Sequence, residues 1–185
     1  HRVHGGRGMP VVLLHGLFDD HRGWRDVPRR LAAAGHEVMV VDLPGHGAST
    51  MQAQTLEAAV DQIAAILPEG RLYLIGHSLG AAIATRLALR LGDRVEHLVL
   101  SAPAGLGPRI NSDFIDGVLA AETPAALARA LALLDAGPIS AMALTQELDR
   151  LRKLRSGYAA LAAAAARDGF QQIDITADLA RLACT

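Results

Sequence analysis

Short apolar runs divide the first hundred residues of the chain. They read VVLL, VMVVD, LYLIG and HLVLSA, and they are built mainly from Val, Leu and Ile. None of them alternates cleanly between apolar and polar positions, which is typical of strands buried on both faces, as in a parallel sheet. The pattern therefore predicts four strands, at Val11–Leu14, Val38–Asp42, Leu72–Gly76 and His97–Ala102.

Helical patterns fill the gaps between these runs. A glycine or a proline follows each pattern, and Thr55 can cap the second one, which are common signals at helix ends. The predicted helices run over Trp24–Ala34, from Thr55 to Leu67, and over Ser78–Leu91. Strands that alternate with helices form β-α-β units, so we expect an α/β fold with helices on both faces of a mostly parallel sheet.

The pattern changes after Ala102, where no further strand is predicted. Helices are predicted at Ser112–Ala121, Pro124–Leu134 and Ser140–Ala166, the last broken near Gly157, and ITADLARLA forms one more. We interpret the chain as a single incomplete domain, with a core at 1–104 and 167–185 and a helical lid at 105–166. Apolar lid residues predict a mainly apolar pocket between the sheet and the lid: Phe114, Ile115, Leu119 and Met142.

One serine stands between two glycines where a predicted strand meets a predicted helix. The stretch Gly76–Gly80 reads GHSLG and fits the G-x-S-x-G pattern of a nucleophile elbow, which needs this strand-turn-helix setting. The helix that begins at Ser78 directs its positive dipole end at developing oxyanion charge. The structural alternative is a serine that caps the helix between two turn glycines. A cap needs neither glycine, so we favour Ser78 as the catalytic nucleophile.

A second signal lies at the end of the first predicted strand, in VVLLHGLFDD. An oxyanion hole needs two N–H donors. We predict that Leu79 supplies one and Leu17 the other, through their backbone amides. The neighbouring motif residues support the site: His15, Gly16, Gly76, His77 and Gly80. We expect the His15 ring to fix the loop, and His46 in DLPGHGAST to pack nearby without accepting a proton.

At this point the chain resembles the α/β-hydrolase superfamily. The segments LLHGLFDD, VVDLPGHGAST and LIGHSLGAAIA match its motifs in order. The region beyond them, with LSAPAGLGPRINSDFIDGVLAAE and LRKLRSGYAAL, is similar to the hydrolase-type acyltransferase domain of acetoin dehydrogenase complexes. That resemblance implies acetyl transfer from a lipoyl thioester to coenzyme A, both as substrates, with no bound cofactor. Those proteins carry a lipoyl domain with a modified lysine, whereas the only lysine here is Lys153.

The base and the acid of a triad are missing from the expected places. In this fold the order along the chain is Ser, acid, His. Only His97 follows Ser78, and it starts its strand, whereas active sites of open α/β sheets lie at the carboxyl ends. The strand-six position of the fold, after Ser101, offers Ala102, Pro103 and Ala104 and no carboxylate. The later aspartates fall in predicted helices or their flanks: Asp113, Asp116, Asp135, Asp149, Asp168, Asp174 and Asp178. We therefore expect the C-terminal strands of the fold, with the acid and the histidine, to be missing.

Two functions from different classes follow. The first is acyl transfer by a serine nucleophile, as a hydrolase or an acyltransferase of esters or thioesters. The second is a binding or scaffold domain that keeps the hydrolase fold without turnover. Ser78 favours the first, and the absence of a usable histidine favours the second for the 185 residues alone. We expect weak activity or none from this chain by itself.

Composition excludes several partners. A net charge of −1 argues against nucleic acid, and no apolar run reaches the roughly 20 residues that span a bilayer. A single cysteine, Cys184, fits a reducing cytoplasm, where it would be a small buried hydrophobe. The early histidines have no cysteine partners and no H-x-x-x-H helix, so no metal site is predicted. Four basic side chains predict a solvated helix face or a site for an anionic carrier group: Arg150, Arg152, Lys153 and Arg155.

The last predicted strand raises the question of oligomeric state. By resemblance, the strand order is VMVVD, VVLL, LYLIG, HLVLSA, which leaves Leu98–Leu100 on an edge with no proline or lysine to blunt it. We expect either a covering segment, self-association through this edge, or membership in a larger dehydrogenase complex.

Overall fold

The computed structural model describes residues 2–134 and 137–182, the first three of them by their backbone alone. The strands are β1 Arg2–His4, β2 Gly8–Leu14, β3 His36–Val41, β4 Leu72–His77, β5 Val95–Ser101, β6 Ala166–Arg167 and β7 Phe170–Gln171. The α-helices are α1 Val27–Ala33, α2 Leu56–Ala64, α3 Leu79–Leu91, α4 Ser112–Ala120, α5 Pro124–Ala132, α6 Ala141–Ala165 and α7 Thr176–Leu179. Two short 3₁₀ turns lie at His21–Trp24 and Gly92–Arg94.

The main sheet has the order β1-β3-β2-β4-β5. Strands β3, β2, β4 and β5 are parallel, which confirms the four predicted strands and their order, and β1 adds an antiparallel edge that the apolar pattern did not reveal. Leu14 pairs with Val41 on one side and Gly76 on the other, and His77 pairs with Ser101. The carboxyl ends of all four parallel strands therefore lie together.

Helices cover both faces of β2 and β3, which is why their apolar runs do not alternate. One face packs on α2 and α3 through residues such as Val12, Leu14 and Ile83. The other face, with Leu13 and Val40, packs under α1 and Trp24. Val12, Leu13, Leu14 and Val40 are each at most 1% exposed. The fold class predicted from the pattern is confirmed.

A third group of side chains forms a separate core among α4, α5 and α6. Its members are Phe18, Ile115, Val118, Ala121, Leu127, Ala130, Leu144, Leu148, Leu151, Tyr158 and Ala162. The core gathers around Phe18, which belongs to the loop after β2. The lid helices are thus anchored on the segment that follows the first buried strand.

Helix α6 contradicts the predicted break at Gly157. The helix runs unbroken from Ala141 to Ala165. A Cβ on Gly157 would lie 2.4 Å from the carbonyl oxygen of Gly45, and a Cβ on Gly45 would lie 2.8 Å from the Gly157 Cα. The glycine is needed because α6 crosses the loop after β3 in backbone contact, and its helix propensity is a secondary matter.

Smaller differences concern helix ends and one hairpin. The predicted helix Trp24–Ala34 is two pieces, because Arg25 adopts a φ of 51° between them. The ITADLARLA segment forms only the single turn of α7. Strands β6 and β7 form a hairpin that the pattern missed, with Asp168 and Gly169 at its turn. Asp135 and Cys184, for which the sequence makes predictions, lie outside the described residues. No helix in the described part of the chain is both long and apolar enough to cross a membrane.

Candidate active site

Ser78 sits at a sharp turn between β4 and α3, with φ 52° and ψ −117°. A non-glycine residue in this region costs of the order of 1–3 kcal/mol and persists only where the surroundings hold it. Here the Ser78 N–H donates to the Ser101 carbonyl at 3.0 Å. The Ser78 carbonyl accepts from the amides of Ala81 and Ala104, at 3.0 and 3.1 Å. The Ser78 side chain makes no capping hydrogen bond to α3, so the capping alternative is wrong.

Glycines let other backbone segments approach this turn. A Cβ on Gly76 would lie 2.5 Å from the Ala81 Cα, and a Cβ on Gly80 would lie 2.2 Å from the Leu14 carbonyl oxygen. Neither contact could be relieved by a side-chain movement, because both involve backbone atoms. Gly80 thus presses the first turn of α3 against the end of β2.

The loop after β2 lies directly against the serine. A Cβ on Gly16 would lie 3.1 Å from the Ser78 Cβ and 3.0 Å from Nδ1 of His77. Leu17 follows Gly16, and its half-buried side chain contacts both the sheet core and the lid core. Leu79, 2% exposed, follows Ser78. The two peptides predicted to form the oxyanion hole therefore belong to segments that meet at Ser78, and their role as donors stays a prediction.

The His15 ring ties this loop to the end of β3. Its Nε2 accepts a hydrogen bond from the Leu43 amide at 3.0 Å, so its Nδ1 carries the proton and donates to the Gly16 carbonyl at 2.8 Å. Burial lowers the pKa of His15. The ring is neutral and both nitrogens are engaged, so the geometry holds the loop and leaves no nitrogen for proton transfer.

His46 lies 5.3 Å from the His15 ring and 4.6 Å from the Tyr158 ring, between ring centroids. Its Nδ1 donates to the Pro44 carbonyl at 2.9 Å, and its Nε2 is buried without a hydrogen-bond partner among the described residues. Burial, and then the neighbouring His15, lower the pKa of His46 to about 3. It too is neutral at pH 7.

Arg150 links the lid to the loop after β2, a role that the sequence did not reveal. Its guanidinium donates to the Phe18 carbonyl, to the Tyr158 hydroxyl at 2.9 Å and to the Asp20 carboxylate at 3.5 Å. Its side chain is only 14% exposed. The prediction of a solvated face is wrong for Arg150, because the contacts come from residues about 130 positions earlier. Phe18 itself adopts a φ of 68°.

The other basic residues of α6 behave differently. Arg152 and Arg155 both pair with Glu122, and Arg155 also donates to the Ala121 carbonyl at 2.8 Å. Lys153 is exposed. These three side chains lie at the surface, as predicted, and a role in binding a carrier group stays a prediction.

The carboxylates of Asp20 and Asp42 stabilise the loop after β2. Asp42, at the end of β3, accepts from the amides of His21 and Ala48 at 2.7 and 2.9 Å and from the His21 ring at 2.9 Å. Asp20 binds Arg22 at 2.7 Å. Although burial opposes their charge, these hydrogen bonds hold the pKa of both carboxyl groups below its usual range. Ligand atoms of Asp20, His21 and Asp42 lie within 4.8 Å of one another, but protein donors already occupy both carboxylates. The cluster therefore stabilises the conformation of the loop.

No described histidine ring is hydrogen-bonded to Ser78 in residues 2–134 and 137–182. His97 pairs with Tyr73, four residues before the His77–Ser101 pair, so it lies about 13 Å away along the strand. Asp113 and Asp116 lie in α4, Asp149 in α6 and Asp178 in α7. Asp168 occupies the β6–β7 turn and Asp174 precedes α7.

Two cavities lie beside the loop after β2. A cavity of about 720 Å³ between Asp19–Gly23 and α6 is lined by charged side chains, including Glu147 and Arg150. A smaller one of about 220 Å³ at the strand ends is lined by His77, Ser101 and Trp24. Of the lid residues expected to line an apolar pocket, Ile115 and Leu119 line a cavity of about 280 Å³ between α4 and α6, so this cavity lies within the lid and not between the lid and the sheet. Ile115 is buried in the lid core, Phe114 and Leu119 pack against it, and Met142 is 70% exposed.

The chain is similar in sequence to several known proteins. A family model described as alpha/beta hydrolase fold matches residues 9–171. The dihydrolipoyllysine-residue acetyltransferase component of the acetoin cleaving system of Pseudomonas putida is 35% identical over 156 residues, 82% of this chain and 41% of that protein. The pimeloyl-acyl-carrier-protein methyl ester esterase of Aeromonas hydrophila is 33% identical over 163 residues, 81% of this chain and 61% of that protein.

Solved structures agree on the fold. A hydrolase from Pseudomonas aeruginosa superposes with a TM-score of 0.73 and 26% identity, covering 99% of this chain and 72% of that one. The chain spans about two fifths of the acetyltransferase component and three fifths of the esterase. The family model covers most of the chain, from β2 to β7, and so includes both the Ser78 turn and the lid helices. The chain belongs to the α/β-hydrolase family.

Proposed function

We propose that the chain carries the nucleophile and the oxyanion-binding half of a site for acyl transfer from esters or thioesters. The observation that supports this most directly is the strained Ser78 turn, whose side chain is not used by the helix that it begins. Strain of this kind is retained at functional sites. The contact of Gly16 with the same residue supports an oxyanion hole shared by Leu17 and Leu79.

The proposed reaction has two steps. The Ser78 Oγ attacks the carbonyl carbon of the acyl donor, the bond to the leaving thiol or alcohol breaks, and the hydroxyl proton passes to the leaving group. An acceptor then attacks the acyl-serine, the ester bond breaks, and Ser78 regains a proton. Both steps gain from N–H donors at the developing oxyanion. Both also need a general base, and no described residue occupies that place.

The names of the relatives narrow the substrate. We infer acetyl transfer from a lipoyl thioester to coenzyme A, since the acetyltransferase components are similar to this chain over both sheet and lid. Membership in a larger dehydrogenase complex belongs to the same proposal. The esterase relatives support the alternative of ester hydrolysis, with water as the acceptor. A binding domain without turnover is the remaining alternative, and the missing base favours it for this chain alone.

Acetylation of Ser78 tests the proposal. The chain is incubated with p-nitrophenyl acetate, and the peptide that contains Ser78 is examined by mass spectrometry. We expect slow acetylation of Ser78 and no acetylation of the corresponding peptide in Ser78→Ala, with turnover near the roughly 10³–10⁴-fold over water that survives loss of triad members. Release of the acetyl group to added coenzyme A favours the transferase, and release only to water favours the esterase. A chain with no acetylated Ser78 is the non-catalytic domain, and rapid acetylation means that a base has been overlooked.

A further inference from the structure

The loop after β2 contains a tight turn that carries the Leu17 peptide. The Asp19 N–H donates to the Gly16 carbonyl at 3.3 Å, which closes a four-residue turn with Leu17 and Phe18 at its centre. The N–H of the second residue of such a turn takes no part in the closing hydrogen bond. Within residues 2–134 and 137–182, the Leu17 amide makes no hydrogen bond. The turn therefore leaves this N–H available to a substrate oxygen.

Phe18, the third residue of the turn, has a strained backbone. Its φ of 68° lies in the left-handed region, which turns of this kind normally assign to glycine. A residue with a side chain stays in this conformation only where its surroundings hold it there. Relaxation of Phe18 would open the turn and change the orientation of the adjacent Leu17 backbone.

The lid holds Phe18 in this conformation. Its ring, 6% exposed, packs edge-on against the rings of Tyr158 and Phe114, at 5.6 and 5.8 Å between centroids. Its carbonyl accepts a hydrogen bond from the Arg150 guanidinium. Phe114 belongs to α4, and the other two residues belong to α6. Helices of the lid thus contact both the side chain and the carbonyl of the strained residue.

The Arg150 guanidinium is itself fixed by several acceptors. It donates to the Tyr158 hydroxyl at 2.9 Å and to the carboxylates of Glu147 and Asp20, and its side chain is 14% exposed. A hydrogen bond from a charged donor that is shielded from water is among the stronger ones in a protein. The bond to the Phe18 carbonyl is therefore well suited to offset the strain of the turn.

We propose that Arg150 is a positioning residue for the proposed acyl-transfer site. From the lid, it holds the strained Phe18 turn in the conformation that presents the Leu17 amide to the oxyanion formed at Ser78. Arg150 acts through the turn and not by contact with the substrate. The inference deepens the proposed function and rests on it for the role of Leu17. It makes the geometry of the oxyanion site depend on the packing of the lid against the loop.

Backbone chemical shifts of Phe18, measured by NMR on the whole chain, report its φ. We expect a left-handed Phe18 in the wild-type chain and in Arg152→Met, the matched control on the same helix, whose side chain pairs with Glu122 at the surface. In Arg150→Met we expect shifts typical of an extended or right-handed residue.

Arg150→Lys keeps the test decisive if Arg150→Met does not fold. Lysine offers one nitrogen in place of the planar fork, and this nitrogen is expected to bind the Asp20 carboxylate instead of the Phe18 carbonyl. Phe18 should therefore leave the left-handed region in this variant as well. A Phe18 that keeps its left-handed φ in a folded variant of either kind would overturn the proposal.

A second measurement distinguishes positioning from a loss of stability. Acylation of Ser78 by p-nitrophenyl acetate is compared with acylation by its thiono analogue, in which sulfur replaces the carbonyl oxygen and accepts hydrogen bonds less well. We expect the preference for oxygen to fall about tenfold in Arg150→Met, a part of the roughly 10²–10³-fold effect of one oxyanion donor. A smaller folded fraction would slow both reactions equally and leave their ratio unchanged.

The outcomes distinguish this inference from the proposed function. A wild-type chain in which neither ester acylates Ser78 contradicts the proposed reaction, and the Phe18 shifts then still decide whether Arg150 holds the turn. If Ser78 is acylated and the preference for oxygen is unchanged in Arg150→Met, Arg150 stabilises the lid without positioning the Leu17 amide, and the inference is wrong.

Discussion

The glycines around Ser78 allow backbone segments to approach one another closely. Gly80 is the clearest case, because the Leu14 carbonyl of β2 occupies the space that a Cβ on Gly80 would need. Gly76 makes the corresponding room for the first turn of α3 itself. The strained φ of Ser78 is therefore imposed by neighbours that leave the turn no space to relax, as expected where surroundings over-determine a conformation.

The substitution Gly80→Ala tests this account. The added Cβ would meet the Leu14 carbonyl at 2.2 Å, so α3 or β2 must shift. Overpacking of this kind costs about 1–3 kcal/mol of unfolding free energy. Urea unfolding measures the loss, with Gly137→Ala as the control, since nothing lies within 4 Å of a Cβ there. Equal stability of the two variants would contradict the close approach.

At this scale the sequence reveals local motifs and misses distant contacts. Ser78, its glycines and the His15–Gly16 pair stand in short patterns whose spacing carries the geometry. Arg150 stands in a charged helical stretch that looks like an ordinary exposed face. Nothing near it along the chain shows that its partners are Phe18 and Asp20.

Among the elements, α6 fixes the loop after β2. Arg150 donates to Phe18 and Asp20 from one side of the loop, and Tyr158, two turns later on α6, accepts from Arg150 and packs on the Phe18 ring at 5.6 Å. The same helix meets the loop after β3 through Gly157. One helix therefore contacts both the loop after β2, which borders the serine, and the loop after β3.

Removal of the Arg150 guanidinium should loosen this contact. In Arg150→Met, the Asp20 carboxylate keeps Arg22 but loses its buried partner, and the Phe18 carbonyl loses its donor. We expect a loss of about 3 kcal/mol, the range seen when one member of a buried pair is removed. Arg152→Met, whose exposed pair with Glu122 contributes at most about 1 kcal/mol, is the control.

Two measurements distinguish this effect from a general loss of stability. Urea unfolding gives the free energy, and amide exchange at Leu17–Asp19 reports the loop directly. If amide exchange accelerates more at Leu17–Asp19 than in β2, the result supports the role of Arg150 in positioning the loop. Uniform acceleration along the chain would mean that Arg150 stabilises the fold without positioning the loop.

Element prediction succeeds where the apolar pattern is local and regular. The four runs correctly predict β2–β5. Burial on both faces explains the uninterrupted apolar runs of β2 and β3, whereas β5 is exposed at alternate positions such as Val99, so the expectation of burial on both faces is wrong for that strand. The β6–β7 hairpin had a signal that the pattern did not use, since Asp168–Gly169 is a two-residue turn with φ of 52° and 79°. The break at Gly157 could not be judged from sequence, because the reason for that glycine is Gly45 in another part of the chain.

At the scale of the molecule, two cores meet beside Ser78. The sheet core and the lid core are separate clusters, and Leu17 is packed against both. The segment that carries the predicted oxyanion donor therefore contacts both cores. Helix α6 also joins them, since Leu161 and Ala165 belong to the sheet core and Tyr158 and Ala162 to the lid core.

Because His15 and His46 are buried, we expect the molecule to lose stability in acid. The pKa of His46 is about 3 in the folded state, against an ordinary value of 6.5, and burial lowers the pKa of His15 as well. Between these values the unfolded chain binds protons that the folded chain excludes, so stability falls as pH falls from 6.5 towards 3. The slope that His46 contributes at pH 5 is about 1.4 kcal/mol per pH unit, and the lowered pKa of His15 adds a loss of the same sign. Asp20 and Asp42, whose pKa values are lowered, add to the loss below about pH 4.

Urea unfolding at pH 5 to 7 measures the slope, and His46→Gln should reduce it by about 1.4 kcal/mol per unit even if it lowers stability at pH 7. An unchanged slope in His46→Gln would show that His46 takes up its proton equally in the folded and unfolded chain.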